Sequence, residues 1–170
     1  YEMLYRTQFS GIQEIESKVI LEIGSGTSPL RRFYKNVITS DVMDLPYLAH
    51  RIDCHSIDSY AKILDRSVDI VTMTNVLHHL RDPIMCLKKI ASKLRTGGSV
   101  ILTEPYFSFL STIVYKCLHH EPSRFNINSP VLTEVRGPLS SGNMAIPYMI
   151  FYSKNEWTKE LADIYQFSQE

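Results

Sequence analysis

Short apolar runs alternate with more polar segments through the first two thirds of the chain. Five of these runs predict strands, at residues 19–23, 37–41, 48–53, 67–73 and 99–104. Continuous apolar runs rich in Val and Ile are typical of strands that a parallel sheet buries on both faces. The flanking segments predict helices, at residues 1–17, 30–34, 57–64 and 82–95. Because strands and helices alternate, the pattern predicts an α/β fold with a doubly wound, mostly parallel sheet.

Residues 82–95 carry the clearest helical pattern. Asp82 is a suitable N-cap, and Pro83 fits the first helical turn because its missing N–H has no helical partner there. Apolar residues recur on one face, and basic residues crowd the C-terminal half, where they complement the helix dipole. The pair Gly97 and Gly98 predicts the end of this helix.

The pattern changes beyond Pro105. Residues 106–120 are apolar and aromatic at helical spacing, which predicts a helix. Pro, Ser, Asn and Gly dominate residues 123–147, which predicts a long loop of the kind that often carries function. The last segments predict a strand or a helical turn at 148–152, a helix at 155–163 and the start of a strand at 164–167.

Composition and charge exclude several classes of protein. The chain has 170 residues, 44% hydrophobic and 21% charged, which fits one globular domain with a substantial core. Its 18 basic residues balance its 18 acidic residues, so we expect no nucleic-acid partner. Three widely separated cysteines without a CxxC pair favour a cytoplasmic location over a disulfide framework or a zinc knuckle. The sequence shows no signal peptide and no membrane-spanning run, so we expect no membrane partner. Because residue 1 is Tyr, we expect the sequence to begin inside a longer gene product.

The run Val19–Ser28 ends in an acidic residue and two glycines, Gly24 and Gly26, spaced one apart. Glycines allow positive φ and a close approach of a ligand to the main chain, so this turn is a candidate cofactor cradle. The alternative is an ordinary connection between a strand and a helix, because glycine-rich turns are common.

Polar residues stand within or just after four of the predicted strands: Glu22, Asp41, Asp53 and Asn75. In an open α/β sheet the ligand binds outside the carboxyl ends of the strands, so these residues converge on one edge. A carboxylate after the second strand can accept hydrogen bonds from both hydroxyls of a ribose. Each residue alone could instead cap a helix or lie in solvent, but together they favour an adenosine-type ligand.

A nicotinamide cofactor fits the glycine turn poorly. Its GxGxxG fingerprint needs glycine at the sixth position, where this chain has Pro29. No GK[ST] step and no basic residue in the loop supplies a phosphate cradle. The sequence therefore favours a ligand with adenosine but no phosphate.

At this point the chain resembles the class I S-adenosylmethionine-dependent methyltransferases, in particular the small-molecule, type 11-like domains. The stretches NVLHHL.DP and GG..ILTEP, at residues 75–83 and 97–105, carry the resemblance together with the glycine turn. It covers roughly residues 17–105 and also includes 37–41 and 52–54. The resemblance implies a Rossmann-like methyltransferase fold, S-adenosylmethionine as cofactor and a small-molecule acceptor as partner.

The resemblance also implies which residues bind the cofactor. They are Glu22, Gly24, Gly26, Asp41, Val42, Asp53, Cys54 and Asn75. The first three surround the methionine end, Asp41 holds the ribose hydroxyls and Val42 lies beside the adenine. Asp53 and the Cys54 backbone contact the adenine edge, and Asn75 lines the methionine side near the sulfonium. The family usually has a third glycine where this chain has Ser28, which leaves the contact of that residue open.

No catalytic base is evident in the sequence. Methyl transfer needs mainly proximity and orientation, with a base when the acceptor is a hydroxyl. The candidates for this base or for substrate contact are Tyr106, His119, His120 and Glu121. The two histidines could instead cap carbonyls at a helix end. Neighbouring residues on a helix point in different directions, so we predict no metal site here.

The pair His78 and His79 follows the fourth predicted strand. The resemblance places both histidines near the active site. In the alternative, one packs under the sheet and the other is solvated.

We expect one methyltransferase domain with four parts. These are an N-terminal cap (1–17), a cofactor-binding core (18–105), an acceptor or lid region (106–153), and a C-terminal helix with a strand start (154–170). The family sheet normally ends in two further strands, and we expect the last one to be missing from this chain. That would leave an unpaired sheet edge and favour a homo-oligomer.

The function predicted is S-adenosylmethionine-dependent methylation of a small molecule in the cytoplasm. The alternatives are a non-catalytic module of the same fold that serves as a partner or scaffold and, against the evidence of Pro29, a nicotinamide oxidoreductase.

Overall fold

The structure is a computed structural model that describes residues 1–27, 29–108, 111, 121–135, 137 and 141–168. The chain forms two compact units. The first consists of Tyr1–Thr74 with Lys89–Thr103, and the second of Asn75–Lys88 with Glu104–Glu170. The four-part organisation within one domain stays a prediction.

The first unit contains a five-stranded sheet. The strands are β1 (Ile20–Ile23), β2 (Val37–Asp41), β3 (His50–Arg51), β4 (Val68–Thr74) and β5 (Leu94–Thr103). Their order is β3-β2-β1-β4-β5, and every neighbouring pair is parallel. The chain thus builds outward from β1 in both directions, which confirms the predicted doubly wound sheet. In such a sheet the crevice at the carboxyl ends of β1 and β4 is the usual ligand position.

The core of the first unit forms where the N-terminal segment packs on the sheet. Ile20 of β1 aligns with Val37 of β2 and Ile70 of β4. Helix α1 (Glu2–Gln8) adds aromatic rings to this face. The buried cluster consists of Tyr5, Phe9, Ile20, Leu30, Val37 and Ile70. All four residues of β1 are buried, so the strand that precedes the glycine turn is rigidly held.

The other helices are short. The first unit has 3₁₀ helices at Ile15–Ser17, Leu30–Arg32 and Cys54–Ser59. Helix α2 spans Pro83–Ile90, and a 3₁₀ turn at Leu77–His79 precedes it. The second unit ends in α3 (Ala145–Tyr148), a π-helical turn (Met149–Ser153) and α4 (Asn155–Lys159). Within the described residues no helix is long and apolar enough to cross a membrane.

The predicted helix over 82–95 is wrong in its last turn. Asp82 does cap the helix, since its Oδ1 accepts from the Met85 N–H at 2.9 Å. The helix ends at Ile90, however, and β5 begins at Leu94, which pairs with Val68. Tertiary contacts override the helical pattern, because the buried Lys93 ammonium bonds Asp65 at 2.7 Å and reaches carbonyls of the preceding loop. The Gly97–Gly98 pair therefore lies inside a strand rather than after a helix.

Other boundaries also differ from the predictions. The 57–64 helix is wrong because the chain forms a 3₁₀ helix earlier, at Cys54–Ser59, and the 48–53 strand shrinks to His50–Arg51. The 155–163 helix stops at Lys159. The strand start at 164–167 is wrong, because a turn closes there through the Ile164 and Tyr165 N–H bonds to the Leu161 carbonyl. Residues 148–152 take the helical alternative.

The predicted helix over 106–120 lies mostly outside the described residues. Tyr106–Ser108 are not helical, and residues 109–110 and 112–120 are not described. Of the described strands, β3 and β5 form the edges of the sheet. Self-association through a sheet edge stays a prediction.

Candidate functional site

The glycine turn after β1 is fastened to the end of β2. The Ser25 N–H donates to the Ser40 carbonyl at 2.9 Å, and the Ser40 N–H donates to the Ser25 hydroxyl at 3.1 Å. Gly24 has φ 73° and Gly26 has φ 49°, so the turn needs the left-handed backbone that glycine adopts at no steric cost. A Cβ placed on Gly26 would meet no atom within 4 Å. The turn is thus a rigid backbone cradle with open space above one glycine.

Asp41 at the end of β2 links this cradle to the next loop. Its Oδ2 accepts from the Gly26 N–H and its Oδ1 from the Met43 N–H, both at 3.0 Å. The residue is only 6% exposed, so these bonds fix the carboxylate firmly. Each carboxylate oxygen keeps a second lone pair and can accept a further hydrogen bond. Asp41 can therefore receive a pair of ligand hydroxyls while it orients the glycine turn.

Two further side chains border the cradle. The Tyr47 hydroxyl donates to the Gly26 carbonyl at 3.0 Å, although its ring is half exposed. Val42, which directly follows Asp41, is 39% exposed. Sequence reasoning did not single out Tyr47, because a tyrosine six residues beyond a strand carries no recognisable spacing. An exposed apolar side chain next to Asp41 is a suitable surface for a flat heterocycle.

Glu22 is the buried acid of β1. Burial raises the pKa of its carboxyl group to about 7; the Ser25 hydroxyl opposes this rise and the Asp41 charge adds to it. Its Oε2 is buried without a hydrogen-bond partner among the described residues. A buried, unpartnered carboxylate is costly unless a donor or a cation meets it. This oxygen, the open cradle and the Asp41 lone pairs fit an adenosyl amino acid that carries a positive charge.

Glu22→Gln tests this electrostatic strain. Because the folded-state pKa is raised, the native carboxyl binds more protons than the unfolded one between pH 4.5 and about 7, and stability falls as pH rises through that window. We expect the variant to melt several degrees above the parent protein at pH 8 and to match it near pH 4. Thermal melts across this range, with the exposed Glu16→Gln as control, check the result. An unchanged slope in Glu22→Gln would contradict the assignment.

Asp53 and Cys54 open the 3₁₀ helix after β3. The Asp53 Oδ1 accepts from the His55 N–H and lies 2.9 Å from His55 Nδ1. Burial alone would raise the pKa of Asp53, but its hydrogen bonds and ion pair with His55 outweigh burial and lower it. A hydrogen bond to the buried Cys54 raises the pKa of His55 to about 9; burial opposes this rise, and the contacts with Asp53 add to it. Asp53 is thus a helix cap and ion-pair partner, and its adenine contact stays a prediction.

Asn75 directly follows β4 and belongs to the second unit. Its φ is 55°, a left-handed value that Asn tolerates better than most residues, and it is exposed. Backbone outliers of this kind concentrate at functional sites. The predicted contact of Asn75 with the cofactor stays a prediction.

The second unit contains a buried histidine held by a carboxylate. Glu104 Oε2 lies 2.5 Å from His78 Nδ1. Its Oε1 accepts from the Val76 and Leu77 N–H groups at 2.8 and 2.6 Å, which satisfies the start of the 3₁₀ turn. The side chains of His78 and Glu104 are 3% and 7% exposed. Glu104 therefore fixes both the orientation of the imidazole and the nitrogen that carries its proton.

A second histidine and a second carboxylate join this pair. Glu121 places Oε2 3.3 Å from His78 Nε2 and Oε1 3.8 Å from His79 Nε2. His79 Nδ1 donates to the Ser141 carbonyl at 2.8 Å. Asn143 ties the surrounding loops together, since its N–H donates to the His78 carbonyl and its side chain bonds the Arg124 backbone. Two imidazoles and one carboxylate thus converge at one point of the second unit.

The structure divides the four predicted catalytic candidates. Glu121 lies in the histidine cluster, whereas Tyr106 packs on other aromatic rings, 5.6 Å from Tyr148 and 5.3 Å from Tyr152. His119 and His120 lie outside the described residues. Glu104 was missed, although it ends a predicted strand in a carboxylate as Asp41 does. The strand-end rule applied to the fifth strand could have found it.

The chain was compared with protein families, with curated proteins and with solved structures. Residues 4–134 match the model of a family described as a methyltransferase domain. No curated protein matches. The solved structures include the CurJ carbon methyltransferase, with 16% identity, a TM-score of 0.51, and coverage of 92% of this chain and 43% of that one. The citrinin polyketide synthase CMeT domain gives 16% identity, a TM-score of 0.50, and coverage of 95% and 45%.

At such identities the likeness to solved structures concerns the fold alone, and it matches a Rossmann-like methyltransferase fold. The chain spans less than half the length of either structure.

Proposed function

Because the chain belongs to the methyltransferase-domain family of class I, S-adenosylmethionine-dependent enzymes, we propose that it transfers the methyl group of S-adenosylmethionine to a small-molecule acceptor. One observation carries the proposal: the Asp41 carboxylate accepts from the Gly26 N–H, and the space above Gly26 is open at the carboxyl end of β1. This is the position at which open α/β sheets bind ligands.

The proposed cofactor residues have distinct tasks. Asp41 accepts hydrogen bonds from the ribose hydroxyls, and Val42 offers an apolar surface to the adenine. The Gly24 and Gly26 backbone permits close approach of the methionine end, and Glu22 neutralises its positive charge. Asp53, Cys54 and Asn75 complete the set. When bound, the cofactor supplies a methyl group on a sulfonium that is its own leaving group.

The acceptor that we propose is a carbon beside a carbonyl group in a small acyl molecule. Two similar folds support this choice, one named a carbon methyltransferase and the other a domain of a polyketide synthase. In the transfer, the bond from sulfur to methyl breaks and a bond from methyl to the acceptor carbon forms. The acceptor carbon gives up its proton to a protein base or to water, and the sulfonium leaves as neutral S-adenosylhomocysteine, the second product. The neighbouring carbonyl group makes this proton loss possible, because it stabilises the resulting carbanion as an enolate.

Transfer of a labelled methyl group tests the proposal. The chain is incubated with methyl-tritiated S-adenosylmethionine and a panel of β-ketoacyl thioesters, phenols and amines. We expect label in the β-ketoacyl products and, at a cofactor concentration well below saturation, much less label with Asp41→Ala. Saturable cofactor binding without transfer to any acceptor would contradict the enzyme and favour the non-catalytic module.

A further inference from the structure

We propose that His78, His79 and Glu121 form a binding site for one divalent transition-metal ion, with zinc as the best-suited ion. The site lies wholly in the second unit and does not depend on the proposed methyl transfer. Its ligands are two imidazole nitrogens and one carboxylate.

The distances between the donor atoms suit such an ion. His78 Nε2 and His79 Nε2 lie 3.3 and 3.8 Å from the two Glu121 oxygens, and one donor atom from each residue falls within 4.8 Å of the others. A tetrahedral zinc ion with bonds of about 2.0–2.1 Å holds its ligand atoms about 3.3 Å apart. Side-chain adjustments of less than about 1 Å therefore bring all three ligands into range.

In their neutral forms the two rings direct lone pairs toward the Glu121 carboxylate. The Ser141 carbonyl can only accept, so His79 Nδ1 is the donor and its Nε2 carries a lone pair in the neutral ring. The Glu104 carboxylate likewise accepts from His78 Nδ1, which in the neutral ring leaves a lone pair on His78 Nε2. Both lone pairs face the Glu121 carboxylate. A metal cation at this point is attracted to all three groups.

The surroundings of the rings match those of metal-binding histidines. A ligating histidine almost always donates its other ring N–H to a carboxylate or a backbone carbonyl. Here Glu104 serves His78 and the Ser141 carbonyl serves His79. The backbone also braces His79, because a Cβ on Gly142 would come within 2.9 Å of its Nδ1. The rings are thus held in position before any ion binds.

The exposure of the three side chains leaves an entry path. His78 is buried, His79 is 16% exposed and Glu121 is 35% exposed. Two histidines and one carboxylate with an open fourth position are typical of catalytic zinc sites. Imidazole ligands select zinc, cobalt, nickel or copper over magnesium or calcium. Water or an oxygen atom of a small molecule would fill the fourth position.

The sequence prediction of no metal site rested on the cysteine spacing and on the neighbouring residues His119, His120 and Glu121. The ligands that the fold brings together come from two segments more than forty residues apart, on the turn after β4 and in the loop at Glu121. Sequence spacing gives no signal for such a site.

Cobalt titration tests the proposal. The full chain is freed of metal with a chelator and titrated with Co²⁺ alone, which absorbs visible light strongly when four-coordinate, and zinc displaces it in a second titration. We expect one equivalent to bind, and His79→Gln and Glu121→Gln to weaken binding more than about a hundredfold, since loss of an outer partner alone costs about 10–100-fold. Both side chains are partly exposed, and circular dichroism checks that the variants fold. The exposed Glu134→Gln and, in the first unit, His50→Gln are the matched controls.

Absence of saturable Co²⁺ binding, or equal binding by His79→Gln, Glu121→Gln and the parent chain, would overturn the proposal. So would nitrogen NMR shifts showing that both rings are imidazolium in the metal-free and the Zn²⁺-treated protein alike, since protons would then hold the cluster together.

Discussion

Replacing Asp41 with alanine is expected to weaken binding of S-adenosylhomocysteine at least about thirtyfold, as measured by titration calorimetry. Hydrogen bonds to a charged group contribute about 1.5–3 kcal/mol each, and every 1.4 kcal/mol is tenfold in affinity. The variant loses the acceptor for the ribose hydroxyls and releases the Gly26 N–H that Asp41 holds at 3.0 Å. Both losses act on the same ligand position.

Asp44→Ala is the matched control for this experiment. Asp44 lies three residues further along the chain and is exposed, and its replacement by alanine removes the same charge. We expect its affinity to stay within about twofold of the parent chain. Equal affinity of Asp41→Ala and the parent chain would remove Asp41 from the cofactor site.

Gly26→Ala is expected to weaken binding more than about a hundredfold. The new Cβ would enter open space, since no protein atom lies within 4 Å, and that space is where the proposed cofactor approaches the backbone. A side chain at φ 49° also costs about 1–2 kcal/mol of stability, because the Cβ crowds the following carbonyl. Calorimetry with S-adenosylhomocysteine and a thermal melt separate the two effects.

Gly97→Ala separates strain from occlusion. Gly97 lies in β5 with φ 78°, and a Cβ there also meets no atom within 4 Å. We expect both alanine variants to lose a similar amount of thermal stability, with cofactor affinity lost only in Gly26→Ala. Similar loss of affinity in both variants would mean that the glycine turn does not contact the ligand.

The central strands of the sheet were largely predictable because most of their residues are buried and therefore form recognisable runs in the sequence. The 37–41 run gave the bounds of β2 correctly, and four of its five residues are buried even though the last three are polar. The start of β5 was not predictable. Lys93 and Arg95 resemble the last turn of a helix, but Asp65 and Asp69 neutralise them through contacts distant in sequence. Local propensity cannot include partners about thirty residues away.

The two groups of candidate residues differed in the same way. The positions of Glu22 and Asp41 in the sheet were predictable because parallel strands bring their carboxyl ends to one edge. The sequence of each strand by itself is enough to locate its end. The histidine cluster was not, because Glu121 and Ser141 reach the turn at His78 and His79 through long irregular segments. No periodic pattern specifies how such loops meet. Adjacency in sequence drew attention to His119 and His120 instead.

The most direct test of the central claim is a calorimetric titration of the full chain with S-adenosylhomocysteine and, separately, with NAD⁺. Pro29 and the missing phosphate cradle argue against the dinucleotide, whereas the Asp41 carboxylate and the open glycine turn suit the adenosyl amino acid. We predict saturable binding of one S-adenosylhomocysteine per chain and no heat of binding with NAD⁺. Saturable binding of NAD⁺, or of neither ligand, would contradict the assignment.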